Sequence, residues 1–438
     1  MNHDHISAHD RRYRRAGHVS WCCGHVMMVW GGVVEHRYRS PPGPNKTPTC
    51  GNSFHDPTIV LSYDPMSHQW SELRCSGDVP PPTVAPAGVW SSHDNLLYIF
   101  GGMVDSPYLP SHSSNQLYSL DVVSRHWTRL TPSGPCPPSL EKCSGWEHDG
   151  DIYIFGGYSD DRTLESCDQF ETAVDNHSGV EGVWTNCLLR YNVRTNQISF
   201  LTTRGVTPEP RAGAGVCRAG GRVFVFGGKT QYGRLNDLHS LDLKTMTWSL
   251  LEDDTDPYLL GWGPPSPTHP SPRSLHSMVS VPGDKRLMVY GGIDQLNGLT
   301  NDLWVLHYTD HDHWWEELEL RYDHGEVRCW HSAVITHTAE MILHSGLTQE
   351  YYLTRMDLDN HSEDLLHFNF GLPSLTRLAF EAVVKQMEAT DHHHSLSILP
   401  RSLYSAVQSR LSLTNHCRPD KYSPIDTEYL RSRLHVGV

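Results

Sequence analysis

No apolar run in these 438 residues approaches the ~20 that a membrane-spanning helix needs, and the opening MNHDHISAHDRRYRR carries no apolar stretch of secretory type. An intracellular protein of nucleus and cytoplasm is therefore expected, with no membrane partner. Positive charge is also scarce: 35 Lys and Arg against 50 Asp and Glu give a formal net charge of −15. General binding to nucleic acid, which works by neutralising phosphates, is disfavoured by that balance. The basic cluster from Arg11 to Arg15 is too short to reverse it and reads as a frayed arm, with a localisation signal as the alternative. Cysteine occurs 11 times but never as a C-x-x-C pair, and adjacent Cys22 and Cys23 would point to opposite faces of a strand. Reduced thiols are expected rather than a zinc site or disulfides. The 30 histidines are dispersed, and His392, His393 and His394 read as a solvated linker. No metal or other cofactor is expected. The N-x-S/T matches at Asn45, Asn176 and Asn360 read as chance occurrences without secretion.

What the chain has in quantity is turn residues and a recurring mark. With 29 prolines and 35 glycines it favours turns over long helices. Six apolar runs, HVMMVWGG, LLYIFGG, DIYIFGG, RVFVFGG, RLMVYGG and MILHSG, end in a glycine pair or, at Ser345-Gly346, its remnant. Modules of this kind are marginal singly and close into a β-propeller. A second mark follows, in which an apolar residue or Tyr precedes an aromatic by about a strand: Tyr63 to Trp70, Tyr118 to Trp127, Tyr191 to Phe200, Leu241 to Trp248 and Trp304 to Trp314. The late aromatic is expected to pack between adjacent sheets. The sixth unit is degenerate, with Leu365 to Phe368 the nearest candidate, and a strand from the N-terminus could complete it. This texture resembles the kelch repeat, a four-stranded blade of about 50 residues. The expectation is an all-β, six-bladed kelch propeller over residues 15–372, after a basic arm over 1–14.

After Pro373 the period becomes helical. In SLTRLAFEAVVKQMEA, Leu375, Leu378, Ala379, Val383 and Met387 draw one stripe, with Ser374 at the N-cap. In ILPRSLYSAVQSRL, Leu399, Leu403 and Val407 share a face behind Pro400. Two such helices, spanning 373–411 ahead of a flexible tail at 412–438, need a surface: the underside of the propeller as a structural cap, or a partner protein.

Here the residues resemble a known family. Ser374, Leu375, Ala379 and Val383 fill the pattern of the elongin-binding box of ubiquitin-ligase substrate receptors, with Ala379 in place of the usual Cys. Leu399, Pro400, Leu403 and Val407 meet the spacing of the cullin-2 box. Taken whole, the chain is similar from roughly Arg15 to Leu411 to the kelch domain-containing protein 2 and 1 family, kelch-propeller substrate receptors of cullin-2 RING ubiquitin ligases. The resemblance implies a non-catalytic adaptor that reads the C-termini of target proteins, especially those ending in glycine, with elongins B and C, cullin-2 and a RING-box protein as partners.

Carried over residue by residue, the family's carboxylate clamp falls on Lys229, Arg234 and Ser274, and its supporting wall on Lys142, Tyr158 and Trp184. Lys229 stands where the family has Arg and loses the planar fork. Leu275 stands where the family has Trp, which removes an indole face and opens the preference for a Gly-Gly end to change. Arg211, Arg273 and Arg328, each at a blade start, read as structural ties between neighbouring blades. Two other classes stay open: a kelch scaffold without ligase activity, and an enzyme, for which no ligand cluster is visible.

Overall fold

The computed structural model describes residues 13–37, 50–105, 111–161, 164, 170–174, 182–253, 268–318, 327–348, 361–362, 365–370, 380, 382–384 and 407. Among these the apolar runs form the second strands of successive antiparallel sheets, and they are apolar throughout because neighbouring sheets cover both faces. Val223 to Phe226 and Leu287 to Tyr290 are wholly buried.

The first sheet runs Val19–Cys23, Val26–Trp30, Ile59–Asp64, Gln69–Arg74, in chain order. The second runs Ala87–Ser91, Leu96–Phe100, Leu117–Asp121, His126–Leu130, and the third Ser144–His148, Asp151–Phe155, Leu188–Asn192, Gln197–Phe200. The fourth is Gly215–Ala219, Arg222–Lys229, Arg234–Asp242, Thr247–Glu252, and the fifth Ser277–Ser280, Arg286–Asp294, Leu299–Tyr308, His313–Leu318. The last holds Ser332–Ile335, Glu340–His344 and Leu365–Asn369. The first strand of each sheet neighbours that of the next, and Ser332–Ile335 neighbours Val19–Cys23, so the sheets stand in a ring.

Two repeated contacts hold neighbouring sheets together. In the first, an aromatic on the last strand of a sheet packs on the residue before the glycine pair, or its remnant, of the preceding sheet. Trp127 lies 5.1 Å from Trp30, Trp248 5.4 Å from Phe155, and Trp315 4.9 Å from Phe226. Phe368 lies 5.9 Å from Tyr290, and Trp70 lies 5.1 Å from His344, which carries the contact across the ring closure. Two expectations are corrected here. Strand register puts Trp315 opposite Leu306 in the packed slot and leaves Trp314 half exposed, stacked on His307. In the third sheet Ile198, opposite Tyr191, is the buried residue of the slot, while Phe200 is only partly covered. One residue along a strand reverses the face, so Trp314 cannot enter the seam; Phe200 shares the face of Ile198 but lies one pair further along, opposite Leu189.

In the second contact, the later glycine of a pair donates its amide to a carbonyl at the start of the next sheet: Gly32 to Thr83 (2.9 Å), Gly102 to Leu140 (2.8 Å), Gly157 to Arg211 (2.9 Å) and Gly292 to Arg328 (2.9 Å). Gly346 donates to Arg15 (2.8 Å) and thereby joins the last sheet to the N-terminal segment. No N-terminal strand enters the last sheet among the described residues; closure runs through Arg15 and the seam contacts instead.

Arg14 and Arg15 are therefore not part of a frayed arm, since both are buried. Arg15 donates from Nη1 to the Gly31 carbonyl (2.9 Å), and burial pulls its guanidinium down to about 9 despite the nearby Glu72. It repeats Arg211 and Arg273, whose Nη1 atoms donate to Gly227 (3.0 Å) and Gly291 (3.1 Å). These arginines reach into their own sheets: Arg211 makes a bidentate pair with Asp237 (2.6 and 2.8 Å), and Arg273 one with Asp302 (2.8 and 2.7 Å). The backbone carbonyls of Arg211 and Arg328 also tie each to the preceding sheet, through Gly157 and Gly292.

Of the helical segment, Phe380, residues 382–384 and Val407 are described, and all are helical. Phe380 and Val384, four residues apart, are buried while Val383 is half-buried, so the covered face is turned from the stripe expected through Val383. Val407 is buried. Ser374, Leu375, Ala379, Leu399, Pro400 and Leu403 lie outside the described residues, as do residues 1–12 and 408–438.

Candidate functional site

The entry to each sheet carries one residue in the left-handed region: Gly17 (φ 63°), Ala85 (56°), Lys142 (54°), Gly213 (63°), Leu275 (57°) and Trp330 (56°). Each donates its amide to the carbonyl of the one before: Ala85 to Gly17 (2.7 Å), Lys142 to Ala85 (2.9 Å), Gly213 to Lys142 (2.9 Å), Leu275 to Gly213 (2.8 Å), Trp330 to Leu275 (3.0 Å). Gly17 donates to Trp330 (3.0 Å), and the belt closes on itself. Side-chain-bearing residues in this conformation cost of order 1 kcal/mol each, a strain that a fully hydrogen-bonded ring over-determines. The belt encircles a cavity of about 210 Å³ whose lining includes Lys142, Leu275, Trp330, His18, His276 and His331.

The expected site residues fall into two groups beside this cavity. In one, Arg234 opens the third strand of the fourth sheet, directly across from Lys229 at the end of the second strand. Its Nε donates to the buried Ser274 Oγ (3.0 Å), Nη1 to Asn297 Oδ1 (2.9 Å), and its backbone amide to Gln295 Oε1 (2.7 Å). Lys229 is exposed. Leu275, next to Ser274, packs in one apolar cluster with Trp330.

In the other group, the Lys142 ammonium forms an ion pair with the buried Glu141 and lies 5.6 Å from the ring centres of both Tyr158 and Trp330. Tyr158 and Trp184 are cross-strand partners with their rings edge-on at 5.2 Å. Trp184 belongs to the short strand Val183–Thr185 and is buried, so it backs Tyr158 rather than offering an open wall. The groups are joined by backbone: Ala212 exchanges two hydrogen bonds with Lys229, and Gly213 links Lys142 to Leu275.

Glu141 pairs with Lys142 at one end of the site, and the exposed Lys229 and half-buried Arg234 stand at the other. A guanidinium and a hydroxyl converging at 3.0 Å form a donor pair of the kind that takes a carboxylate.

The sequence reading missed Glu141, Gln295, Asn297 and Trp330. For Trp330 a signal existed: it stands two residues after Arg328, as Leu275 does after Arg273 and Gly213 after Arg211. It also took the histidines as dispersed, whereas His18 and His344 meet where the ring closes, and His18, His276 and His331 line the cavity. His344 Nδ1 lies 3.0 Å from His18 Nε2, which is 2.6 Å from Ser332 Oγ, and His331 Nε2 is 3.0 Å from Ser277 Oγ. His276 Nε2 accepts the Gly215 amide at 3.1 Å. Burial, first, and nearby cationic or imidazole groups, second, hold all four well below the usual histidine range, His276 and His344 at about 3. Among the described residues no group of three or more His, Cys, Asp or Glu is arranged to hold a metal ion, and no helix is long and apolar enough to cross a membrane.

The KLHDC2/KLHL20/DRC7 Kelch-repeats domain model matches residues 17–187 and 173–405. The chain is 30% identical to Kelch domain-containing protein 2 of Bos taurus over 412 residues, which cover 92% of this chain and 91% of that one. It is 27% identical to Kelch domain-containing protein 1 of Mus musculus over 432 residues, 96% of each.

Proposed function

Because the chain belongs to the KLHDC2/KLHL20/DRC7 Kelch-repeats family, a protein-interaction class, we propose that it is the substrate receptor of a cullin-2 RING ubiquitin ligase. Its propeller captures the C-terminal end of a target polypeptide, and its C-terminal helices dock elongin C and cullin-2. It does no bond chemistry; it brings the target to a ubiquitin-charged partner for degradation.

The observation that carries this reading is the Arg234 to Ser274 hydrogen bond beside Lys229. A peptide terminus differs from the rest of a chain by its free carboxylate. Two cations and a hydroxyl at one rim supply donors for that group, while Glu141 keeps Lys142 from competing for it. Lys142 with Tyr158 and Trp330 then forms a wall for the last side chains. Lysine at 229 offers a point charge in place of a fork, and Leu275 offers no indole N–H, so the residue before the terminus is not confined to glycine.

Arg234→Ala is expected to weaken binding of a free-carboxylate peptide by about 1.5–3 kcal/mol, the range for a hydrogen bond to a charged group. A direct titration showing no loss would remove Arg234 from the site. Leu375→Asp with Pro400→Ala is expected to abolish co-purification with elongins B and C and cullin-2; retained binding would sink the ligase assignment. The burial of Phe380, Val384 and Val407 favours a second reading, a scaffold whose helices serve as a cap. Its signature is a stable folded partner with no elongin bound.

A further inference from the structure

We infer that Tyr232 and Leu296 form an apolar rim that receives an apolar or aromatic side chain of the bound polypeptide, a few residues before its C-terminus. The inference rests on the carboxylate capture proposed above and adds the feature that selects among targets.

Tyr232 is 78% exposed and Leu296 72% exposed, and both sit on connections between second and third strands, in adjacent sheets. The other large exposed apolar residues among those described, Val123, Val206 and Trp314, lie on or beside outer strands, away from these connections. Tyr232 is two residues from Arg234, and Leu296 is next to the Asn297 that accepts from the Arg234 guanidinium. The two connections touch: Gln295 accepts the Arg234 amide at 2.7 Å and lies so close to Gly233 that an added Cβ would stand 2.5 Å from its Nε2.

Both tips are pre-formed. Thr230 donates its amide to the Gly233 carbonyl (2.8 Å), and Tyr232 donates its own to Thr230 Oγ1 (3.2 Å). Asp294 Oδ1 accepts from the amides of Leu296 (2.9 Å) and Gly298 (2.7 Å). Exposed apolar side chains on already ordered turns lose little further entropy on binding and are characteristic of interaction surfaces.

The occupant follows from charge and reach. Lys229 and Arg234, paired at the base of the Tyr232 turn, select a chain with a terminal carboxylate, and Arg234 reaches Asn297 beside Leu296. An extended chain advances about 3.3 Å per residue, so its third to sixth residues from the end pass over the rim.

The test uses the full chain and synthetic peptides that share their last two residues and vary Leu, Tyr, Ser or Asp at the third to sixth positions from the end, each with a free or amidated terminus. The native protein should bind one of the Leu or Tyr series about tenfold more tightly than its Ser counterpart, the scale of burying one apolar side chain. The Tyr232→Ser, Leu296→Ser double variant, altered only at exposed positions, should lose that preference while still rejecting amidated peptides. Retained carboxylate dependence with no upstream preference, or a preference unchanged in the variant, overturns the inference alone. Absence of binding, or binding indifferent to amidation, overturns the capture reading and this inference with it.

Discussion

At the scale of single residues, the buried arginines show how position decides what a charge does. Arg211 and Asp237 are both buried, and Asp237 also accepts from His239 Nε2 at 2.8 Å. Burial by itself would raise the Asp237 carboxyl; the hydrogen bond from His239 and the charge of Arg211 bring it below the usual carboxylate range. Removing one partner strands the other in a dry site, so Asp237→Ala is expected to cost about 3–5 kcal/mol in urea unfolding. A loss below 1 kcal/mol would mean that water reaches the pair. Arg234, chemically the same side chain, lies half-buried at the rim and donates to the Ser274 hydroxyl and the Asn297 amide oxygen. Ser345 is the instructive exception to the glycine pairs: it adopts φ 54°, and its hydroxyl accepts the Arg15 amide (2.7 Å) and donates to Ser362 (3.0 Å), offsetting a strain that glycine avoids.

At the scale of elements, the seam between sheets explains the two marks read along the chain. A Cβ on Gly101 would meet the Leu140 carbonyl at 2.3 Å, and the residue is at φ +69°. Gly220 has a similar φ of +61° with nothing within 4 Å. Gly220→Ala should therefore cost about 1–2 kcal/mol, the left-handed penalty alone. Gly101→Ala should cost clearly more, because the seam must also open; equal losses in chemical denaturation would show that the close approach contributes nothing. The aromatic mark was legible only to within a residue or two, as Trp315 and Ile198 illustrate. Spacing gives the strand, but register against Leu306 gives the face, and register against Tyr191 the position along it.

At the scale of the whole molecule, closure is a matter of a few groups. Gly346 to Arg15, Gly17 to Trp330, Trp70 on His344 and the His18–His344 contact join the two ends of the described propeller. His18, His276, His331 and His344 are held uncharged by burial, with folded-state values well below 6.5. As pH falls below 6.5 the unfolded chain takes up these protons first. Stability is thus complete above about pH 6.5 and is lost progressively toward pH 3, by up to about 1.4 kcal/mol per pH unit for each histidine. Unfolding free energy measured between pH 7 and 4 should fall, and His276→Gln should make the fall shallower; a flat profile would show that the cluster is solvated. The sequence alone determined the repeated strand modules and the kelch class, because glycine pairs and apolar runs are local demands of each sheet. Only the tertiary structure decided the rest: that Arg15 is a buried tie, that Glu141 and Trp330 flank Lys142, and that His18 meets His344. Those relations depend on which residues of separate sheets a closed ring brings face to face, and no local pattern encodes that.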